Sequence, residues 1–158
     1  MNQGDQQRFL KMADALCRHQ KARLTAKRKR ILTILLQAGT PLSAYQISDR
    51  YREAHEQQMS IMSVYRMLNF LIDQHLAHRL ETTNQYLPCA HIDAGHTSDT
   101  AHGTPQFLIC DKCKRVDESG LRTDILEQLD NELRKTGFTM DQQQLEIHGT
   151  CQRCAKRA

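Results

Sequence analysis

Apolar positions in the first half of the chain recur at helical spacing, in four successive stretches. "QRFLKMADALCRH" places Phe9, Ala13, Leu16 and Cys17 on one face, and "TAKRKRILTILLQAG" aligns Ile31, Leu32, Leu35 and Leu36 between Thr25, a capping residue, and Gly39, a terminator. "PLSAYQISDRYREA" sets Ser43 and Gln46 at capping-box spacing ahead of Ile47 and Tyr51. The fourth stretch, "MSIMSVYRMLNFLIDQ", buries Ile61, Val64, Leu68, Leu71 and Ile72 and turns Met62, Ser63, Tyr65, Arg66 and Asn69 outward. The pattern then changes period, because "LAHRLETTNQYLPC" reads as two short strands about a Thr-Thr-Asn turn.

Three helices followed by a hairpin is the order of a winged helix-turn-helix, whose last helix enters the major groove and whose hairpin is the wing. Residues 89–104 carry no apolar periodicity and read as a connection. Beyond them "QFLIC" predicts a strand and "KRVDES" its partner. "LRTDILEQLDNELRKTG" predicts a helix with Ile125, Leu129 and Leu133 on one stripe and Gly137 at its end, and "FTMDQQQLEIHG" returns extended. The expected architecture is α+β: a winged-helix unit over 1–88, a hinge over 89–104, and a small α/β dimerisation unit over 105–158. So small a unit needs a metal or a second copy to complete its core.

Charge sharpens the picture of the first unit. The net charge is only +4, yet six of the fourteen residues in "HQKARLTAKRKRIL" are Lys or Arg. A basic cluster beside a helix-turn-helix points to a polyanion, and Arg66 on the outward face can reach either phosphate or the guanine edge. With no Trp and few aromatics, base stacking on single-stranded RNA is disfavoured. No apolar run approaches the roughly 18 residues of a membrane span, and the N-terminus lacks a signal-peptide pattern, so a cytoplasmic protein is expected.

In a reducing compartment paired cysteines point to metal. Cys110 with Cys113 and Cys151 with Cys154 supply four thiolates, enough to close a tetrahedral zinc shell of the structural kind. A redox motif needs one such pair, whereas this chain has two. Four further candidate ligands lie near the junction of the two halves in sequence: His78 and Cys89 at the hairpin, His102 in the connection, with His96 and His91 as competitors, and Glu118 behind the first cysteine pair. One thiolate, two imidazoles and a carboxylate suit zinc better than a hard cation. A zinc deaminase is excluded, because no His-x-Glu occurs and Cys89, though preceded by proline, opens no Cys-x-x-Cys pair.

In order along the chain, "RLTAKRKRIL", "LSAYQI", "SVYRMLNFL", "AHRLETTNQYLPC", "FLICDKC" and "EIHGTCQRC" resemble the ferric uptake regulator family of bacterial metal sensors, and its zinc uptake regulator branch in particular. The resemblance implies a homodimeric, metal-activated repressor of double-stranded operator DNA, neither an enzyme nor dependent on an organic cofactor. It implies structural zinc at Cys110, Cys113, Cys151 and Cys154, and regulatory zinc at His78, Cys89, His102 and Glu118, two ions per protomer. Tyr65 and Arg66 fall on its DNA-reading helix and Tyr45 where the family contacts the backbone. Ser63, Lys27 and Arg28 complete the candidate DNA contacts. The alternatives are a family member sensing iron, manganese or peroxide, and a zinc-stapled interaction module that binds no DNA. Three departures stand out: Ala26 replaces a helix-starting proline, His75 stands where glycine is usual, and Gln143 replaces a histidine of the iron-sensing branch.

Overall fold

The computed structural model describes residues 2–90, 92, 105–119, 122–140 and 144–157. Two compact units divide the chain, Met1–His96 and Thr97–Ala158.

Four helices open the first unit: α1 (Gln3–His19), α2 (Ala26–Ala38), α3 (Ala44–His55) and α4 (Ile61–Asp73). Each starts on a side-chain cap. Asn2, Thr25, Ser43 and Ser60 accept from backbone N–H groups of the first turn, and Ser43 with Gln46 forms the reciprocal capping box. Gly39 ends α2 in the left-handed region at φ 67°, where a side chain would strain the backbone. The core is built from the expected stripes, with Ala13, Cys17, Ile31, Leu32, Leu35, Ile47, Tyr51, Val64, Leu68 and Leu71 all buried.

After α4 the chain reverses through His75, which adopts φ 53° despite its side chain. A histidine therefore holds the left-handed turn that glycine would take without strain. Two strands follow, β1 (Ala77–Leu80) and β2 (Gln85–Pro88), paired antiparallel with His78 opposite Leu87. Leu42, ahead of α3, bonds the free edge of β2 at Tyr86 in both directions, 2.9 and 2.8 Å. The wing is thereby pinned to the loop between α2 and α3, a pairing that the hydrophobic pattern around Leu42 does not announce.

The second unit comprises β3 (Gln106–Cys110), β4 (Val116–Ser119), α5 (Thr123–Lys135), β5 (Leu145–Gly149) and a short helix, α6 (Gln152–Ala155). Its sheet runs β4-β3-β5, with β4 antiparallel and β5 parallel to the central strand. The expected elements are present, and α6 is one turn more than the pattern foretold. The apolar stripe of α5 is not closed over: Ile125 is 44 % and Leu129 40 % exposed, and Leu108, Ile147 and Phe138 are exposed as well.

Candidate metal centres and DNA-reading helix

The parallel register of β3 and β5 sets Cys110 beside Gly149, so the chain leaving each strand carries one cysteine pair to the same end of the sheet. Cys113 lies in the tight turn after β3, closed by the Lys114 N–H on the Cys110 carbonyl at 2.8 Å and by Lys114 at φ 60°. Cys151 stands at the N-cap of the single turn of α6 and Cys154 lies within that turn, where the Cys154 N–H donates to the Cys151 carbonyl at 3.0 Å. The Asp111 N–H on the Gly149 carbonyl at 2.8 Å, and Asp111 Oδ1 with His148 Nδ1 at 2.9 Å, tie the two cysteine-bearing loops together.

The four sulfurs all lie within 4.8 Å of one another, and Cys113 Sγ is 3.8 Å from Cys151 Sγ. With Zn–S bonds of about 2.3 Å, the edge of a tetrahedral ZnS₄ unit is about 3.8 Å, so the cage fits the ion in size and in ligand softness. Electrostatics agree with that fit. The backbone N–H of Cys151, donating to Cys110 Sγ, leads the causes that lower this thiol to about 6. Cys154 is pushed up to about 12, foremost by the Cys113 sulfur beside it. Packed thiolates raise one another's ionisation cost, and a dication removes that cost.

On the wing, side chains directly opposite in an antiparallel pair share a face, so His78 and Leu87 share one, and Cys89, two residues past Leu87, joins them. The Cys89 N–H bonds the Leu76 carbonyl at 3.1 Å, which continues the ladder and fixes the thiol's direction. A ligand nitrogen of His78 and the sulfur of Cys89 lie within 4.8 Å of each other, and Cys89 is buried. These two residues therefore offer half of a zinc shell. Glu118 stands half-buried on β4, opposite Phe107 in the second unit. His102, with its competitors His96 and His91, lies outside the described residues.

Among the candidate DNA contacts, Tyr45 in the first turn of α3 is 67 % exposed, and Arg66 and Lys27 also face solvent. Three others are already engaged within the first unit. Ser63 shares a hydrogen bond with the Ser60 cap at 2.9 Å, and Tyr65 is half-buried against the core rather than turned fully outward. The Arg28 guanidinium stacks over the Phe70 ring of α4 at 3.4 Å and donates to the Arg23 carbonyl at 2.7 Å. Similarly, Arg30 donates to the buried Tyr51 hydroxyl at 3.3 Å. Part of the basic cluster thus fastens α2 to α3 and α4. A charge count could not reveal this, because Arg28 and Phe70 lie far apart in the chain.

A winged helix-turn-helix joined to a sheet that carries a four-thiolate cage defines a class of two-unit metalloprotein. The chain belongs to the ferric uptake regulator family, whose model matches residues 19–148. It is 34 % identical over 152 residues to the zinc uptake regulation protein of Escherichia coli strain K12, covering 95 % of this chain and 83 % of that one. A solved zinc uptake regulator complexed with zinc and DNA shares 30 % identity at a TM-score of 0.79, with 96 % of each chain covered. The holo XcZur crystal structure shares 32 % identity at a TM-score of 0.74, covering 94 % of this chain and 97 % of that one. Among the described residues no helix is long and apolar enough to cross a membrane.

Proposed function

We propose that this chain is a zinc-responsive transcriptional repressor, a homodimer that binds double-stranded operator DNA ahead of zinc-uptake genes in the cytoplasm. The observation that carries the reading is the match along nearly the whole chain to a zinc uptake regulation protein and to a regulator solved with zinc and DNA together. The family is one of transcriptional regulators, and its chemistry here is binding rather than catalysis.

In this reading residues 1–88 read DNA, 89–104 connect, and 105–158 dimerise. Two zinc ions bind each protomer. Cys110, Cys113, Cys151 and Cys154 hold the first, which joins the loop after β3 to α6 and contributes folding free energy. His78, Cys89, Glu118 and a loop histidine, His102, hold the second. These ligands come from the wing, the connection and β4, so they are satisfied together in one arrangement of the chain. Bound zinc supplies the positive charge that stabilises that arrangement. In a two-fold dimer the arrangement fixes the spacing of the two α4 helices against half-sites one helical turn, about 34 Å, apart.

The test is selection of bound duplexes from a random pool at fixed salt, with free zinc buffered low and then high. Fixed salt matters because phosphate contacts make affinity fall steeply with ionic strength. Enrichment of a two-fold symmetric site at high zinc alone is expected. Enrichment by iron or manganese but not zinc would reassign the metal. No enrichment while the cage holds zinc would reduce the chain to a zinc-stapled interaction module.

A further inference from the structure

The solvent face of α4 contains one residue out of keeping with its neighbours. Met62, Arg66, Asn69 and Asp73 are all exposed, and their spacing of four, three and four residues lines them up in a single stripe along the helix. Three are polar, whereas Met62 is a large apolar side chain 60 % exposed to water. It contributes nothing to the core, which takes Val64, Leu68 and Leu71 from the opposite face.

Charge along the stripe decides which end can approach DNA. Asp73 closes the helix, where the backbone dipole is also negative, and both repel phosphate. Arg66 and the positive helix start lie toward the other end, beside Met62. The N-terminal half of a recognition helix is also the part that reaches base edges. On the floor of the major groove the apolar group available to such a side chain is the C5 methyl of thymine.

We infer that Met62 is a specificity-determining residue that packs on a thymine methyl in each half-site, next to a guanine read by Arg66. The inference rests on the reading of α4 as the DNA-reading helix. Spacing makes it specific. Four residues of helix advance about 6 Å, at about 1.5 Å per residue. Base pairs are about 3.4 Å apart, so the thymine lies about two steps from the guanine.

The experiment uses the zinc-loaded full chain and the operator recovered by selection. Arg66→Ala first locates the guanine, as the position whose preference is lost. Each nearby thymine is then replaced by uracil, which deletes the methyl and nothing else. One thymine per half-site should matter, costing the wild type about fourfold in affinity per methyl, the burial of one such group. Replacing both half-sites should cost about sixteenfold. Met62→Ala should bind thymine and uracil sites equally, while Met62→Leu keeps the preference. Because Met62 is exposed, all three proteins should share one unfolding midpoint. Insensitivity of every thymine within three steps of that guanine would overturn the inference, as would a uracil effect that persists in Met62→Ala. Failure to recover any operator would instead bring down the functional reading, and this inference with it.

Discussion

At Arg28 the guanidinium carbon sits 3.4 Å from the centroid of Phe70 while one of its nitrogens serves the Arg23 carbonyl, so its charge is committed inside the first unit. Its neighbour Lys27 is exposed, with no such stacking. The two residues look equivalent in the string "AKRKR", but the helix turns them about 100° apart, and one meets α4 while the other meets solvent. Arg28→Met keeps the aliphatic stem and removes the cation. It should lower the stability of the first unit by about 1–2 kcal/mol, the scale of a partly desolvated cation–π pair plus one charged hydrogen bond. Lys27→Ala should leave the urea midpoint unchanged and instead flatten the salt dependence of DNA binding, by about 0.9 in the log–log slope for each phosphate the lysine neutralises. Urea unfolding together with affinity at several salt concentrations separates the two roles. Equal effects of both substitutions on stability would refute the assignment.

Secondary-structure elements show how far pattern alone can carry. Helical stripes and caps in the first unit were legible because each helix buries one face in a single core: Thr25, Ser43, Gly39, Ile47 and Tyr51 all sit where the pattern puts them. The Cys-x-x-Cys pairs were equally legible, since ligand spacing reports local turns directly. Three features escaped: the Leu42 bridge to Tyr86, the short helix α6, and the inward engagement of Tyr65 and Arg28. The bridge and the Arg28 stack join residues distant in the chain and have no periodic signature, and α6 is one turn long, below the length at which helical periodicity can be read. His75 is an intermediate case, because the turn is formed but a histidine occupies φ 53°.

The cage is an element-scale device, since it joins the loop after β3 to α6 and so closes the sheet at one end. Cys113→Ser replaces a soft thiolate by a neutral hydroxyl and leaves three sulfurs for the ion. The second unit should then lose its zinc and its cooperative unfolding while the helices of the first unit remain. Zinc stoichiometry and circular dichroism, followed through a thermal scan, check this. Retention of both zinc and a single sharp transition would show that the sheet stands without the cage.

At the scale of the whole molecule, the exposed residues Ile125, Leu129, Phe138, Leu108 and Ile147 form apolar surface on a unit too small to bury it alone. On the proposal that residues 105–158 dimerise, a second copy of the chain covers it. Leu129→Glu puts a charge on that surface without touching the cage or the wing. It should shift the protein to monomer at micromolar concentration in sedimentation, and cost more affinity on a two-fold operator than on a single half-site. DNA affinity depends on zinc as well as on dimerisation. If His78 and Cys89 hold the ion that favours the DNA-binding arrangement, zinc and operator must each raise affinity for the other by one common factor, about 5–150-fold for a coupling of 1–3 kcal/mol. Cys89→Ser removes the one soft ligand of that set and leaves the four cage cysteines untouched. The variant should remain a folded dimer with its cage zinc, yet lose most of the zinc-dependent gain in operator affinity. By the same linkage, operator DNA should no longer tighten its binding of the second zinc. Measuring zinc affinity with and without operator, and operator affinity with and without zinc, closes the thermodynamic cycle. A full zinc response in the Cys89→Ser dimer would remove Cys89 from the regulatory shell.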